Sequence, residues 1–94
     1  MSAVARQRTA EVRVTDHALE RHLERAGPIT AKALAREVRR RLMPALKVGV
    51  RPDPQLGVHI EIQEGLVAVA APSWEGGWHV ETVYTTDEWE EWVG

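Results

Sequence analysis

A chain of 94 residues with 44% apolar content makes one small domain with a modest core; having no cysteine, it can form neither a disulfide staple nor a thiolate metal site. No run of about 18 apolar residues occurs, so no membrane-spanning helix is expected; the N-terminal stretch MSAVARQRTAEVRV lacks the apolar core of a secretory signal, and a reducing cytosol is the expected setting. The net charge of −2 conceals a split: residues 1–51 hold all 12 Lys and Arg with five acids, net +7, and residues 52–94 hold nine acids and neither Lys nor Arg, net −9.

In chain order, residues 1–9 are polar and predict a flexible arm, and residues 10–94 a single domain. Val12 and Val14 alternate with polar neighbours and read as a short strand. Asp16 is placed to cap a first helix, whose apolar stripe is predicted as Leu19, Leu23 and Ala26 and which stops at Gly27-Pro28. Thr30 caps a second helix with Leu34, Val38 and Leu42 at four-residue spacing. Pro44 is expected to end it, because the proline ring clashes with the carbonyl four residues back.

From Leu46 the period switches to two. Residues 46–51, 58–63, 66–71 and 78–85 predict four strands, joined by the turn-rich PDPQLG, a tight Glu64-Gly65 turn and the loop PSWEGG. A short C-terminal helix follows, with Asp87 and Glu90 spaced as a capping box and Trp89, Trp92 and Val93 on its apolar side. The order β-α-α-β-β-β-β-α predicts an α+β fold, with two helices packed on one face of a mainly antiparallel sheet.

Four groups of residues could carry chemistry. His17, Arg21, Glu24 and Arg25 fall within about 100° of the first helix and could hold a phosphate through two forked donors, or form a solvated face with an Arg21–Glu24 pair. On the polar face of the meander, Lys47, Arg51, His59, Glu61, His79 and Glu81 supply a base, an imidazole and a cation. If the strands neighbour one another these suffice for general acid–base cleavage of RNA; otherwise they are ordinary polar-out alternation. Trp74, flanked by Pro72-Ser73 and Glu75-Gly76-Gly77, and Trp78 beside it are candidates for a partner-binding surface. The run of Arg36, Arg39, Arg40 and Arg41 could track phosphates or simply solvate a helix. No close-spaced His or carboxylate pattern argues for a metal, and no cofactor motif is present.

The helix opening HALERHLER, with His17, Ala18, Arg21 and Arg25 in a His-Ala-x-x-Arg-x-x-x-Arg pattern, and the closing strand ETVYT at 81–85 resemble a group of small phage and mobile-element proteins. The element order resembles the wider RelE/ParE/BrnT-like superfamily, related more distantly to barnase-like and colicin-like ribonucleases. That resemblance implies a nucleic-acid-directed protein, in many cases a metal-independent ribonuclease toxin paired with an antitoxin. Under a nucleic-acid-directed function, the residue groups above would place catalysis on His17, Arg21, Glu61 and His79, and nucleic-acid contact on Arg25, Arg36, Arg40, Lys47 and Arg51. The chain departs from the pattern in its slightly acidic balance and in lacking a basic-aromatic cluster on its last strand.

The competing reading is a non-enzymatic protein, a virion assembly component or a regulator docking on a host protein through the charge split and the tryptophans. Head-to-tail self-association of opposite poles belongs with it, whereas internal pairing of basic helices with an acidic sheet rim and tail would explain the charge split without any partner. The absence of Asn and Cys fits a thermophilic source, and the excess of ten Arg over two Lys fits GC-rich coding equally well.

Overall fold

The computed structural model describes residues 11–50, 57–73 and 75–93. The expected arm at 1–9, Arg51, most of PDPQLG, and Trp74 lie outside these described residues. Strand β1 (Val12–Val14) leads into helices α1 (Asp16–Ala26) and α2 (Ala31–Lys47). Strands β2 (Val58–Gln63), β3 (Leu66–Pro72) and β4 (Trp78–Thr85) follow, then helix α3 (Thr86–Val93). The fold is α+β, with the helix pair followed by the meander and the short terminal helix as expected. Among the described residues there are three meander strands rather than four.

The four strands form one sheet in the order β1-β4-β3-β2, antiparallel except for the parallel β1–β4 pair. Alternation sorts the side chains onto two faces. Val58 pairs with Ala70 and Ile60 with Ala68, while Val83 and Val80 pair with Ala68 and Ala70 from the other side. These six side chains face α1 and α2 and join Leu34, Val38 and Leu42, each with no exposed surface. A register shift between Val69 and Ala70 gives β4 one extra residue at Glu81, which re-aims the side chains around it. Gly65 turns the β2–β3 hairpin at φ 81°, as predicted. Gly57 is required for a different reason: a Cβ there would stand 2.4 Å from the carbonyl oxygen of Ala70.

Helix α1 departs from its sequence pattern by one residue. Its buried positions are Ala18 and His22; Leu19 is only half-buried, Ala26 is exposed, and Leu23 is 57% exposed. The small Ala18 lets the helix backbone come close to the sheet. His22 can be buried because its Nδ1 lies 2.8 Å from the Gly27 carbonyl oxygen, which satisfies it inside the fold. The cap is Thr15 rather than Asp16. Its hydroxyl accepts from the Ala18 N–H at 3.1 Å and donates to the Val80 carbonyl at 3.0 Å, so one side chain starts the helix and fastens it to β4. Asp16 sits in the first turn, where its charge suits the helix dipole.

Helix α2 runs through Pro44 and ends at Lys47. Proline removes one hydrogen bond, and so near the C-terminus the loss is confined to the final turn. The gain is that Leu46, one turn beyond Leu42, packs on the core. Residues 46–50, expected as a strand, close the helix instead. The Val48, Gly49 and Val50 N–H groups donate to the carbonyls of Pro44, Leu46 and Ala45, and Gly49 adopts φ 95°. Val48 is left 82% exposed.

Helix α3 covers part of the opposite sheet face, and the Trp89 ring stacks on His59 with centroids 3.8 Å apart. Its capping box is Thr85 with Glu88, two residues before the expected pair. The Glu88 N–H donates to Thr85 Oγ1 at 3.1 Å, and the Thr85 N–H to Glu88 Oε1 at 3.0 Å.

Candidate functional site

On α1 the expected phosphate-holding guanidiniums are already engaged. Arg21 Nη1 donates to both carboxylate oxygens of Glu24, at 2.9 and 2.7 Å. Arg25 forks onto Glu88, its Nε donating to Oε1 at 2.6 Å and its Nη2 to Oε2 at 2.7 Å. This clamp reaches from the end of α1 past the end of β4 to the cap of α3. Its hydrogen bond to Glu88 is the main cause raising the Arg25 pKa. The same bond, helped by the Thr85 N–H, lowers Glu88 to about 2. His17 is exposed at the start of the helix. The four residues therefore form a half-neutralised surface, not an open anion site.

Of the acid–base group expected on the meander, His79 and Glu81 meet, but Glu61 stands apart from them. β3 separates β2 from β4, so Glu61 and His79 are two strand spacings apart, roughly 10 Å. They are also offset along the sheet: Glu61 pairs with Val67, but His79 with Ala71, four residues further on, or about 13 Å. His79 instead meets Glu81 on its own strand, Nε2 to Oε1 at 3.2 Å. His59 lies under Trp89, and Val67 and Val69 fill the ground between the outer strands. Lys47 is the last residue of α2 rather than a strand residue. Because Trp78 and Val80 face α1 and α2, the alternate His79 faces the other way. His17 and Arg21 are thus carried on the helical side of the sheet, and Glu61 and His79 on the opposite side.

Trp78 is 8% exposed and belongs to the core, which corrects its expected place on a partner-binding surface. The cause is its register: it pairs with Val12 across β4–β1 and with Pro72 across β3–β4, so its ring points under the helices.

The open cationic surface lies on α2. A groove of about 370 Å³ runs between α2 and β1, lined by Glu11, Val12, Lys32, Ala35, Arg36 and Arg39. At 100° per residue, Lys32, Arg36 and Arg39 fall within about 60° of one another, flanking the buried Leu34–Val38–Leu42 stripe. All three are exposed, and among the described residues none has a carboxylate within the 4.0 Å of an ion pair. Glu11, on the groove wall, is occupied by Arg13 at 2.9 Å. Arg40 and Lys47 extend the same side of the helix. Arg40 shares Glu37 at 3.1 Å, and Arg41 approaches the same carboxylate at 3.9 Å.

Of the residues expected to contact nucleic acid, α2 thus brings Arg36, Arg40 and Lys47 to one side, whereas Arg25 is spent on Glu88. Lys32 was missed, and Arg39 was not singled out from the arginine run. A helical wheel shows the signal, since Lys32 and Arg39 are two turns apart with no acid between them on that side. Neither a protein family, a curated protein nor a solved structure is matched by this chain.

Proposed function

We propose that this protein binds nucleic acid through α2, gripping phosphates with Lys32, Arg36 and Arg39. The observation that carries this reading is the row of exposed cations, without carboxylate partners among the described residues, along one wall of an open groove. An anionic chain lying there would displace its condensed counterions without first breaking an internal ion pair. The reading is one of binding rather than cleavage. The residues expected to supply acid and base, His17, Arg21, Glu61 and His79, are divided between the two sides of the sheet, so no reacting atom could meet all of them.

Salt-dependent binding of labelled oligonucleotides tests this reading. The logarithm of affinity should fall linearly with the logarithm of salt concentration, with a slope of about −3 for three phosphate contacts on a duplex. Replacing Lys32, Arg36 and Arg39 together by Gln should remove most of that slope while leaving the thermal unfolding midpoint in place. Retention that ignores salt, or persists in the triple variant, would remove the reading.

A further inference from the structure

Taking nucleic-acid binding by α2 as its premise, we infer that the ligand is a double-stranded segment, held along the phosphates of one strand with no reading of its bases. The cationic side of α2 is long. From Lys32 to Lys47 it spans fifteen residue steps, about 22 Å at 1.5 Å per residue. That length matches the axial rise of roughly six phosphates in one strand of a duplex. Lys32, Arg36, Arg39, Arg40 and Lys47 all fall within about 100° of the helix surface. A rigid row of this kind suits a rigid polyanion whose charges are already spaced.

Binding of single strands works differently, by stacking unpaired bases on exposed aromatic rings. Among the described residues the groove offers none: its walls are Lys32, Arg36, Arg39, Ala35, Val12 and Glu11. Trp78 is in the core, and Trp89 is stacked on His59 across the sheet. Nor does this side of α2 carry the Asn or Gln that reads an adenine edge, and Asn is absent from the whole chain. The arginines could fork onto a guanine only from within a groove. Their place beside β1, flanking the buried stripe, favours a side-on approach to the backbone instead.

Fluorescence anisotropy at one fixed ionic strength decides the matter. The probes are a DNA duplex of roughly 20 base pairs, a second duplex of unrelated sequence, an RNA duplex of matching length, and the separated strands. The expected result is duplex binding about tenfold tighter than single-strand binding, nearly equal for the two DNA sequences. Arg36→Gln and Arg39→Gln should each weaken both DNA duplexes by the same factor. Single strands binding as tightly as duplexes would overturn the inference while leaving α2 as the contact surface. A tenfold preference between the two DNA duplexes would overturn the claim that bases go unread. If no probe binds, the premise falls together with the inference.

Discussion

Helices α1 and α2 look alike in sequence, both Arg-rich and both capped by threonine, yet their charges end in opposite states. Both arginines of α1 are engaged, Arg21 by Glu24 and Arg25 by Glu88. Helix α2 has one acid, Glu37, for six cations, and that carboxylate takes Arg40 and Arg41, leaving the groove side open. The cation count on a helix therefore says little about where an anion will bind. What matters is how many acids share the helix, and which neighbouring element brings another. For α1 that element is α3, whose Glu88 lies 63 residues downstream of Arg25.

The comparison breaks most readily at the core. The groove exists only while α2 lies on the sheet, and Leu34, Val38 and Leu42 hold it there with no exposed surface. Leu42→Ala should cost about 2–5 kcal/mol, through lost transfer free energy and the cavity left behind. The measurement is the shift in denaturant midpoint. Leu23→Ala on α1, at a position 57% exposed, should move it little. A reversed order would mean that the two helices bury other faces.

Next come the caps, which sharpen the contrast because the two threonines do different amounts of work. Thr30 accepts a single bond, from the Ala33 N–H at 3.0 Å. Thr15 accepts from Ala18 and also donates to the carbonyls of Val80 and Glu81, at 3.0 and 3.2 Å. Thr15→Ala should cost about 1–2 kcal/mol and Thr30→Ala about half that, measured by chemical unfolding. Equal costs would mean that the tie to β4 adds nothing.

The sequence made some of this legible and hid the rest for definable reasons. Clean alternation in VHIEIQ and the four-residue spacing of Leu34, Val38 and Leu42 report burial directly, and both appear as expected. The Glu64-Gly65 turn was readable because positive φ leaves few choices of residue. The end of α2 was not, because LKVGV satisfies a two-residue period and a helix terminus equally well, and Pro44 is tolerated where only the last turn depends on it. The buried face of α1 was hidden because it uses Ala18 and His22, a small and a polar residue, in place of its two leucines. The meander site looked plausible only because alternation fixes which face a side chain takes; it does not fix which strands are neighbours. The intervening β3 separates Glu61 from His79.

The Arg25–Glu88 clamp is the third place to press. Arg25→Ala should cost about 1 kcal/mol, after discounting for the 39% exposure of the Glu88 side chain. It also has a pH signature. The folded-state pKa of Glu88 lies below its ordinary value of 4.5, at about 2. Its contribution is therefore complete above the unfolded value and lost as pH falls through that window. Between pH 4.5 and 2 the native protein should lose more stability than the Arg25→Ala variant, in which Glu88 keeps only its Thr85 bonds. Parallel pH profiles would mean that the pair does not persist in solution.

The smallest effect separates the two helices most sharply. Arg21 is a cation one helix away from the groove, and both oxygens of Glu24 already hold it. Replacing it with Ala removes a surface pair three residues apart, worth a few tenths of a kcal/mol. On nucleic acid, Arg21→Ala should leave affinity and salt slope unchanged, whereas Arg36→Ala should reduce the slope by about one unit. The two substitutions change the net charge equally, so a general electrostatic attraction would respond to both alike. A response to Arg36→Ala alone would locate the contact on α2, and equal responses would reduce binding to the diffuse field of the basic half.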